Sequence, residues 1–245
     1  MIPAMTTILI TGANGGLGQA IASRFLADPV VERVYLGVNR RREAAEALAA
    51  AHPGRAVVLP LDVTQSGEWT AAVEKILQDS GRIDVLVNNA GFHRDALLAT
   101  MDDATWTEVV RANLDSVFLG CRAVLRPMMA RRFGRIINIA SLSALMAPAG
   151  QTNYAAAKAG VVALTRSLAK EAARAGITVN AVLPGYLETE ALAALGEEER
   201  KILARTIPMR RFGRAEEVAA AVAFLACPEA SYVTGSALKI DGGIL

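Results

Sequence analysis

Short apolar runs alternate along the chain with longer stretches in which apolar residues recur every three or four positions. The short runs are rich in valine and isoleucine and are bounded by glycine, proline, aspartate or asparagine, as buried strands are. They predict seven strands, at residues 8–11, 34–38, 57–61, 85–88, 135–140, 178–183 and 237–240. The longer stretches predict helices at residues 17–27, 41–51, 67–79, 105–132, 154–175 and 215–226.

Alternation of strands and helices is typical of a parallel sheet whose crossovers place helices on both of its faces. We therefore expect an α/β fold, a single doubly wound domain over residues 1–245 with a seven-stranded parallel sheet. Sheets of this kind bind ligands at the carboxyl ends of their strands. Residues that directly follow a predicted strand are therefore the first candidates for function.

Composition excludes several classes of protein. Hydrophobic residues make up 53% of the 245 residues, which excludes a disordered chain, and a net charge of +2 gives no support to nucleic-acid binding. No apolar stretch reaches the length of a membrane-spanning helix. Cys121 and Cys227 suggest no disulfide framework and favour a reducing cytoplasm, and His52 and His93 lack the spacing of metal ligands, so we expect no metal site.

A glycine-rich loop follows the first predicted strand and opens the first predicted helix. In that position glycines permit a tight turn, close approach of a phosphate and close helix packing, while the helix N-terminus offers free N–H groups. A glycine-rich turn without a ligand is the alternative. The residues that we expect to hold the pyrophosphate of a dinucleotide are Gly12, Asn14, Gly15, Gly16, Leu17 and Gly18.

The end of the second predicted strand bears on the choice of cofactor. Enzymes that use NAD commonly carry an acidic residue there, which binds the ribose hydroxyls. This chain has Asn39, Arg40 and Arg41 instead, and an arginine pairs with a 2′-phosphate. The sequence therefore favours NADPH/NADP+, with Arg40 preferred over Arg41; a solvated start to the next helix is the alternative.

Tyr154 and Lys158 are four residues apart in a predicted helix, so they lie on one face, one turn apart. A cation near a phenol lowers its pKa, and we expect Lys158, helped by a nicotinamide ring, to lower the pKa of Tyr154. Ser141 follows the fifth strand and is placed to hold a carbonyl oxygen. Asn113 lies in a long predicted helix, where it either holds a water that feeds protons to Lys158 or is a satisfied core asparagine.

Together these motifs resemble the short-chain dehydrogenase/reductase family over essentially the whole chain. The resemblance implies a Rossmann fold and a catalytic tetrad of Asn113, Ser141, Tyr154 and Lys158, with transfer of the 4-pro-S hydride and protonation of the new alkoxide by Tyr154. It also implies cofactor contacts beyond the glycine loop. These further contacts are Asp62 and Val63 with the adenine, Asn89, Ala90 and Gly91 along the cofactor, Pro184, Gly185 and Thr189 around the carboxamide, and Tyr154 and Lys158.

Within the family, the chain is most similar to the 3-oxoacyl-(acyl-carrier-protein) reductases. The similarity lies in residues 88–95, in residues 150–160 and in the C-terminal segment from Tyr232 to Gly243. It implies NADPH-dependent reduction of a 3-oxoacyl thioester to the 3-hydroxyacyl thioester. The alternatives are a short-chain enzyme acting on a polyketide, sugar, acyl-coenzyme A or alicyclic substrate, and a nucleotide-binding regulator without catalytic activity.

Three further expectations concern partners and substrate access. An acidic carrier protein needs a basic docking patch, for which the candidates are Arg131, Arg132 and Arg174; solvated surface is the alternative. Residues 187–208 are expected to form a helical lid with Leu192, Leu195 and Ile202 on its apolar face, or else an ordinary packed excursion. By analogy with the family, we expect a homotetramer assembled through residues 105–132, 154–175 and 237–245.

Overall fold

The protein is analysed as a computed structural model that describes residues 6–188, 192 and 196–245. Within these residues, seven parallel strands form one sheet in the order β3-β2-β1-β4-β5-β6-β7. The strands are β1 (Thr6–Thr11), β2 (Val31–Val38), β3 (Ala56–Pro60), β4 (Val85–Asn88), β5 (Gly134–Ile139), β6 (Ile177–Pro184) and β7 (Ala237–Ile240). The strand order reverses direction between β1 and β4, which creates a crevice at their carboxyl ends.

Helices cover both faces of this sheet, as the alternation of elements predicts. The helices are α1 (Gly16–Leu26), α2 (Glu43–Ala51), α3 (Ser66–Ser80), α4 (Asp103–Val110), α5 (Ser116–Arg131), α6 (Ser143–Met146), α7 (Thr152–Ala172), α8 (Glu197–Thr206) and α9 (Ala215–Ala226). Buried residues of α1, α2 and α9 pack on one face, and buried residues of α3, α5 and α7 pack on the other. The predicted α/β fold class and the seven-stranded parallel sheet are therefore confirmed.

Burial on both faces explains why the strands are continuous apolar runs. Ile8 and Ile10 of β1 belong to the core on the α1 side, while Leu9 belongs to the core on the α5 side. Ile8 pairs in register with Val85 of β4, and Leu9 pairs with Leu86. Successive side chains of a strand point to opposite faces of the sheet, and both faces are buried here. A strand that alternated apolar and polar residues would therefore bury its polar side chains.

The long helix predicted at 105–132 is correct in position and differs in form. It consists of α4, a π-helical segment at Arg111–Asp115, and α5. A π-helical insertion widens the turn by one residue, and such insertions are frequent at functional sites. The apolar period predicts helix on both sides of this segment but does not distinguish a π-helical from an α-helical hydrogen-bonding pattern.

No helix in the described part of the chain is both long and apolar enough to cross a lipid bilayer.

Candidate active site

The glycine loop between β1 and α1 is built for close approach of backbone. A Cβ atom on Gly12, whose φ is +65°, would lie 2.8 Å from the Cα atom of Ala90. A Cβ atom on Gly18 would collide with the carbonyl oxygen of Gly12. At Gly16 an added Cβ would meet open space, so this glycine leaves room in front of the first turn of α1. Free N–H groups at such a turn bind phosphate.

Two side chains, one at the end of β1 and one directly after β4, hold this loop in place. The side-chain amide of Asn89 donates to the carbonyl oxygens of Thr11 and Gly12, at 2.9 and 3.1 Å. The backbone N–H groups of Asn89 and Ala90 both donate to the Thr11 hydroxyl at 3.0 Å. Thr11 is therefore a positioning residue, and it was not among the predicted site residues. The sequence feature that could have indicated it is a hydroxyl side chain at the last position of β1.

A cavity of about 1110 Å³ opens along the carboxyl ends of β1 to β4. That volume suits a dinucleotide better than a small metabolite. Its lining combines the glycine loop with the ends of the neighbouring strands. From the predicted set, it includes Gly12, Asn14, Gly15, Gly16, Leu17, Gly18, Asn39, Arg40, Asp62, Val63, Asn89, Ala90 and Gly91.

Two segments shape the end of this cavity at which the adenine is expected. The Asp62 carboxylate accepts hydrogen bonds from the N–H of Thr64 at 2.9 Å and from its hydroxyl at 2.7 Å. Arg40 and Arg41 are both exposed and both line the cavity. The side chain of Asn14 donates to the carbonyl oxygen of Arg40 at 3.3 Å, which ties the glycine loop to the end of β2. The geometry brings both arginines to the cavity and does not rank one above the other.

Tyr154 and Lys158 lie on one face of α7, with the Lys158 Nζ atom 5.6 Å from the centroid of the Tyr154 ring. The Lys158 ammonium is buried and donates to the carbonyl oxygen of Ile139, at the end of β5, at 2.8 Å. Ser141 follows that strand, and its side chain lies close enough to the Tyr154 phenol to oppose a rise of the Tyr154 pKa. Three of the four predicted catalytic residues therefore meet at the junction of β5 and α7.

The protein groups around Tyr154 act differently from expectation. Burial raises the pKa of Tyr154, the hydrogen bond with Ser141 opposes that change, and the negative charge of Asp95 adds to it. Burial also lowers the pKa of Lys158 to about 8. The expected lowering of the Tyr154 pKa is therefore wrong for the protein groups by themselves, because removal from water outweighs the favourable contacts.

Asn113 is the fourth predicted catalytic residue, and it lies in the π-helical segment. Its buried side-chain amide donates to the carbonyl oxygens of Phe92 and Val109, at 2.7 and 2.9 Å. Its Oδ1 atom is buried without a hydrogen-bond partner in the described structure. A Cβ atom on Gly91 would collide with that oxygen and lie 3.5 Å from Lys158 Nζ. The missing side chain at Gly91 thus lets Asn113 and Lys158 approach the same point.

Comparison with known proteins agrees with this arrangement. The family model described as enoyl-(acyl carrier protein) reductase matches residues 12–245. The chain belongs to the short-chain dehydrogenase/reductase family. It is an oxidoreductase of that family.

Curated relatives match the chain over nearly its full length. The 3-oxoacyl-[acyl-carrier-protein] reductase of Salmonella typhimurium is 44% identical over 237 residues, covering 96% of each chain. The reductase of the same name from Escherichia coli is 43% identical over 236 residues, again 96% of each. Nodulation protein G of Rhizobium sp. is 42% identical over 236 residues, covering 96% of this chain and 95% of its own.

The segment expected around the carboxamide in this short-chain dehydrogenase/reductase is described in part. Pro184 ends β6, and its carbonyl oxygen accepts from the N–H of Leu142 at 3.1 Å, next to Ser141. Gly185 donates its N–H to Ile240 at 2.9 Å, and a Cβ atom there would lie 2.9 Å from the Cα atom of Asp241. Thr189 lies outside the described residues. Pro184 and Gly185 therefore lie beside the loop that follows β5 and carries Ser141, which we call the serine loop, and they do not line the large cavity.

The expected lid falls only partly within the described residues. Within 187–208, α8 is helical, as expected. Ile202 on this helix is 61% exposed and Leu192 is half-buried, while Leu195 lies outside the described residues. Closure of this segment over a substrate stays a prediction.

The basic residues considered for carrier docking lie near one another. Arg131 ends α5, and Arg132 follows it in the left-handed region with φ +52°. The Arg132 guanidinium donates to the carbonyl oxygen of Arg174 at 3.0 Å. Because these residues precede β5 and β6, they lie at the edge of the sheet opposite Ser141. Their docking role stays a prediction, and this position restricts it to the site of a neighbouring subunit.

Groups of three or more His, Cys, Asp or Glu side chains suited to holding a metal ion do not occur in the part of the chain that the structure describes.

Proposed function

We propose that this chain reduces a 3-oxoacyl thioester carried by acyl carrier protein to the 3-hydroxyacyl thioester, with NADPH as hydride donor. The observation that carries the proposal is the meeting of Ser141, Tyr154 and Lys158. Lys158 approaches Gly91, which lines the glycine-loop cavity. This arrangement occurs in a chain 42–44% identical, over nearly its whole length, to relatives that include 3-oxoacyl-[acyl-carrier-protein] reductases.

The cavity suits a phosphorylated dinucleotide. The open space at Gly16 and the N-terminus of α1 accommodate the pyrophosphate. Arg40 and Arg41 at the other end carry positive charge, and neither they nor Asn39 carries a carboxylate, which suits a 2′-phosphate. When bound, NADPH supplies the hydride. The residues proposed to hold the cofactor are Gly12, Asn14, Gly15, Gly16, Leu17, Gly18, Asn39, Arg40, Asp62, Val63, Asn89, Ala90, Gly91, Tyr154, Lys158, Pro184, Gly185 and Thr189.

The catalytic roles follow from the chemistry of the four side chains. The Ser141 hydroxyl holds the ketone oxygen of the substrate, and the Tyr154 phenol gives that oxygen its proton as the alkoxide forms. A raised pKa keeps Tyr154 protonated in the neutral range, which a proton donor requires. Lys158, fixed by Ile139, stabilises the phenolate left behind, and a water at Asn113 Oδ1 returns a proton toward Lys158.

The decisive experiment compares substrates. We expect the protein to oxidise NADPH with acetoacetyl thioesters of acyl carrier protein and coenzyme A, and to prefer NADPH over NADH. The Tyr154→Phe variant should lose roughly 100- to 10,000-fold in kcat, as expected for a lost general acid, while NADPH binding measured by fluorescence persists. Tyr232→Phe, at a fully exposed tyrosine, is the matched control. A ketone panel without turnover of any acetoacetyl thioester would reject the substrate assignment.

Reduction of an enoyl thioester is the second candidate, because the matching family model carries that description. Crotonyl thioesters in the same assay separate the two. Oxidation of NADPH with crotonyl thioesters and not with acetoacetyl thioesters would favour the enoyl reductase.

The proposal includes a homotetramer in a reducing cytoplasm. Phe118 and Met129 on α5 and Leu238 on β7 are apolar and more than a third exposed, within two of the segments expected to form interfaces. Cys121 and Cys227 are both free thiols, which suits a reducing compartment. Light scattering at several protein concentrations tests the assembly, and a monomer throughout would contradict it.

A further inference from the structure

Four residues outside the tetrad connect Ser141 to Tyr154 in a closed circuit, which we call the ring. These residues are Ser143, Gln151, Asp95 and His93. The Ser141 hydroxyl accepts from the N–H of Ser143 at 3.1 Å, and the Ser143 hydroxyl donates to the side-chain oxygen of Gln151 at 2.9 Å. The Gln151 amide donates to the Asp95 carboxylate at 2.9 Å.

The ring closes through a histidine. The second carboxylate oxygen of Asp95 lies 2.9 Å from Nδ1 of His93. The His93 ring meets the Tyr154 ring edge-on, with centroids 5.8 Å apart. Tyr154 completes the circuit because Ser141 lies close enough to its phenol to oppose the rise of the Tyr154 pKa.

Three separate chain segments meet in this ring. His93 and Asp95 lie in the loop after β4, and Gln151 lies directly before α7. Ser141 lies in the loop after β5, and Ser143 is the first residue of α6. One backbone hydrogen bond joins two of these segments: the N–H of Ala96, next to Asp95, donates to the carbonyl oxygen of Gly150, next to Gln151, at 2.9 Å. The loop after β4 is also tied to α7 by the Asn153 side chain, which donates to the carbonyl oxygen of Arg94 at 3.1 Å.

We propose that Asp95 is a positioning residue for this reaction: through Gln151 it fixes the serine loop against the start of α7, and with His93 it sets the Tyr154 ring opposite Ser141. The inference rests on the proposed reduction of a carbonyl. None of the three positioning residues, His93, Asp95 or Gln151, needs to touch the substrate.

Exposure argues that this ring serves the geometry of the site rather than stability of the fold. The side chains of His93 and Asp95 are 63% and 47% exposed, and exposed ion pairs add little to the free energy of unfolding. Small misplacement of reacting groups, by contrast, costs much in rate. We therefore expect loss of the His93–Asp95 pair to slow the reaction, by misaligning the reacting groups, more than it lowers the stability of the fold.

Asp95 also faces Tyr154 as a negative charge and adds to the rise of the Tyr154 pKa. The titratable and charged groups around it are His93 on its own loop, Arg94 and Glu108, which pair with each other, and Lys158 beneath the Tyr154 ring. Removing the charge while keeping the shape should lower the pKa of Tyr154. The two contributions of Asp95, shape and charge, are thus separable by substitution.

The test compares Asp95→Ala, Asp95→Asn and Gln151→Ala, with Asp79→Asn as a control at an exposed ion pair on α3, remote from the site. Asp95→Ala and Gln151→Ala should each lower kcat about 10-fold, with unchanged KM for NADPH and unchanged thermal unfolding. The double variant should be no slower than either single variant, since both break the same connection. Additive losses would overturn the proposal.

Asp95→Asn keeps the shape and removes the charge: its Oδ1 atom accepts from Gln151, and its amide donates to His93 Nδ1 in the tautomer that leaves this nitrogen unprotonated. It should therefore restore most of kcat at neutral pH. The alkaline fall of kcat for reduction should then begin at lower pH, because the Tyr154 phenol loses its proton sooner. The absorbance of the Tyr154 phenolate is the difference between a protein and the same protein with Tyr154→Phe. Titrating this difference in wild type and in Asp95→Asn reports the change of the Tyr154 pKa without any substrate. A loss of kcat in Asp95→Asn as large as in Asp95→Ala would also overturn the proposal.

Failure of this inference is distinct from failure of the proposed function. Kinetics with any ketone that the wild-type protein reduces can test the ring, and the absorbance titration needs no substrate. The thioester screen, in turn, uses only the wild-type protein.

Discussion

Lys158 reaches from α7 to the carbonyl oxygen of Ile139, the last residue of β5, at 2.8 Å. The contact fixes the ammonium at the sheet edge beneath Tyr154, and burial lowers the pKa of Lys158 from 10.5 to about 8. A lowered lysine pKa means that the folded state pays to keep the charge. Site and stability are therefore opposed at this residue.

Lys158→Met should abolish turnover and stabilise the fold. The pKa change corresponds to about 3 kcal/mol, from which the lost hydrogen bond to Ile139 subtracts about 1 kcal/mol. Below about pH 8 Lys158 is charged in both the folded and the unfolded state, and the full cost of burying the charge lowers the stability. As the pH rises from about 8 to 10.5, the folded state loses the proton before the unfolded state does, and this cost disappears. Urea unfolding of both proteins near pH 7 and near pH 10 measures this. A stability difference independent of pH would contradict it.

Alanine at two loop glycines should separate folding from binding. Gly18→Ala places a Cβ atom against the carbonyl oxygen of Gly12, so we expect a loss of roughly 1–3 kcal/mol in unfolding free energy. Gly16→Ala has open space, so the fold should keep its stability while affinity for NADPH falls about 10-fold. Thermal unfolding and fluorescence titration check the two effects. Equal NADPH affinity in Gly16→Ala and wild type would remove Gly16 from the phosphate site.

Arg40→Ala should raise the KM for NADPH about 10-fold or more and leave the KM for NADH nearly unchanged, because a lost pairing to phosphate costs roughly 1.5–3 kcal/mol. Arg41→Ala is the matched comparison, since both side chains are exposed and line the cavity. Steady-state kinetics with both cofactors measure the contrast. If Arg41→Ala shows the larger cofactor discrimination, the phosphate contact belongs to Arg41.

Asn113→Ala removes the hydrogen bonds to Phe92 and Val109 and the buried Oδ1 atom near Lys158. We expect at least a 10-fold fall in kcat. Ser116→Ala is the control, because Ser116 is also buried and donates to the carbonyl oxygen of Ala112 at 2.7 Å. Its kcat should stay near that of wild type. Similar losses of kcat in both variants would attribute the effect at Asn113 to packing.

Much of the site was predictable because the relevant chemistry is local. The glycine loop lies between one strand and one helix, and Tyr154 and Lys158 are one helical turn apart, so spacing alone places them. The ring of His93, Asp95 and Gln151 was not predictable in the same way. Asp95 and Gln151 are 56 residues apart in sequence. They meet only because the loop after β4 packs against the residues before α7.

The sequence by itself determined the parallel sheet, the helices on both faces and the neighbourhood of Ser141, because apolar period and strand ends are short-range properties. Tertiary structure alone decided the π-helical turn at Asn113, the role of Gly91 in letting Asn113 approach Lys158, and the direction of the Tyr154 pKa. Each of these depends on burial and on contacts between residues distant in sequence. A pattern along the chain carries no measure of how far a phenol is removed from water.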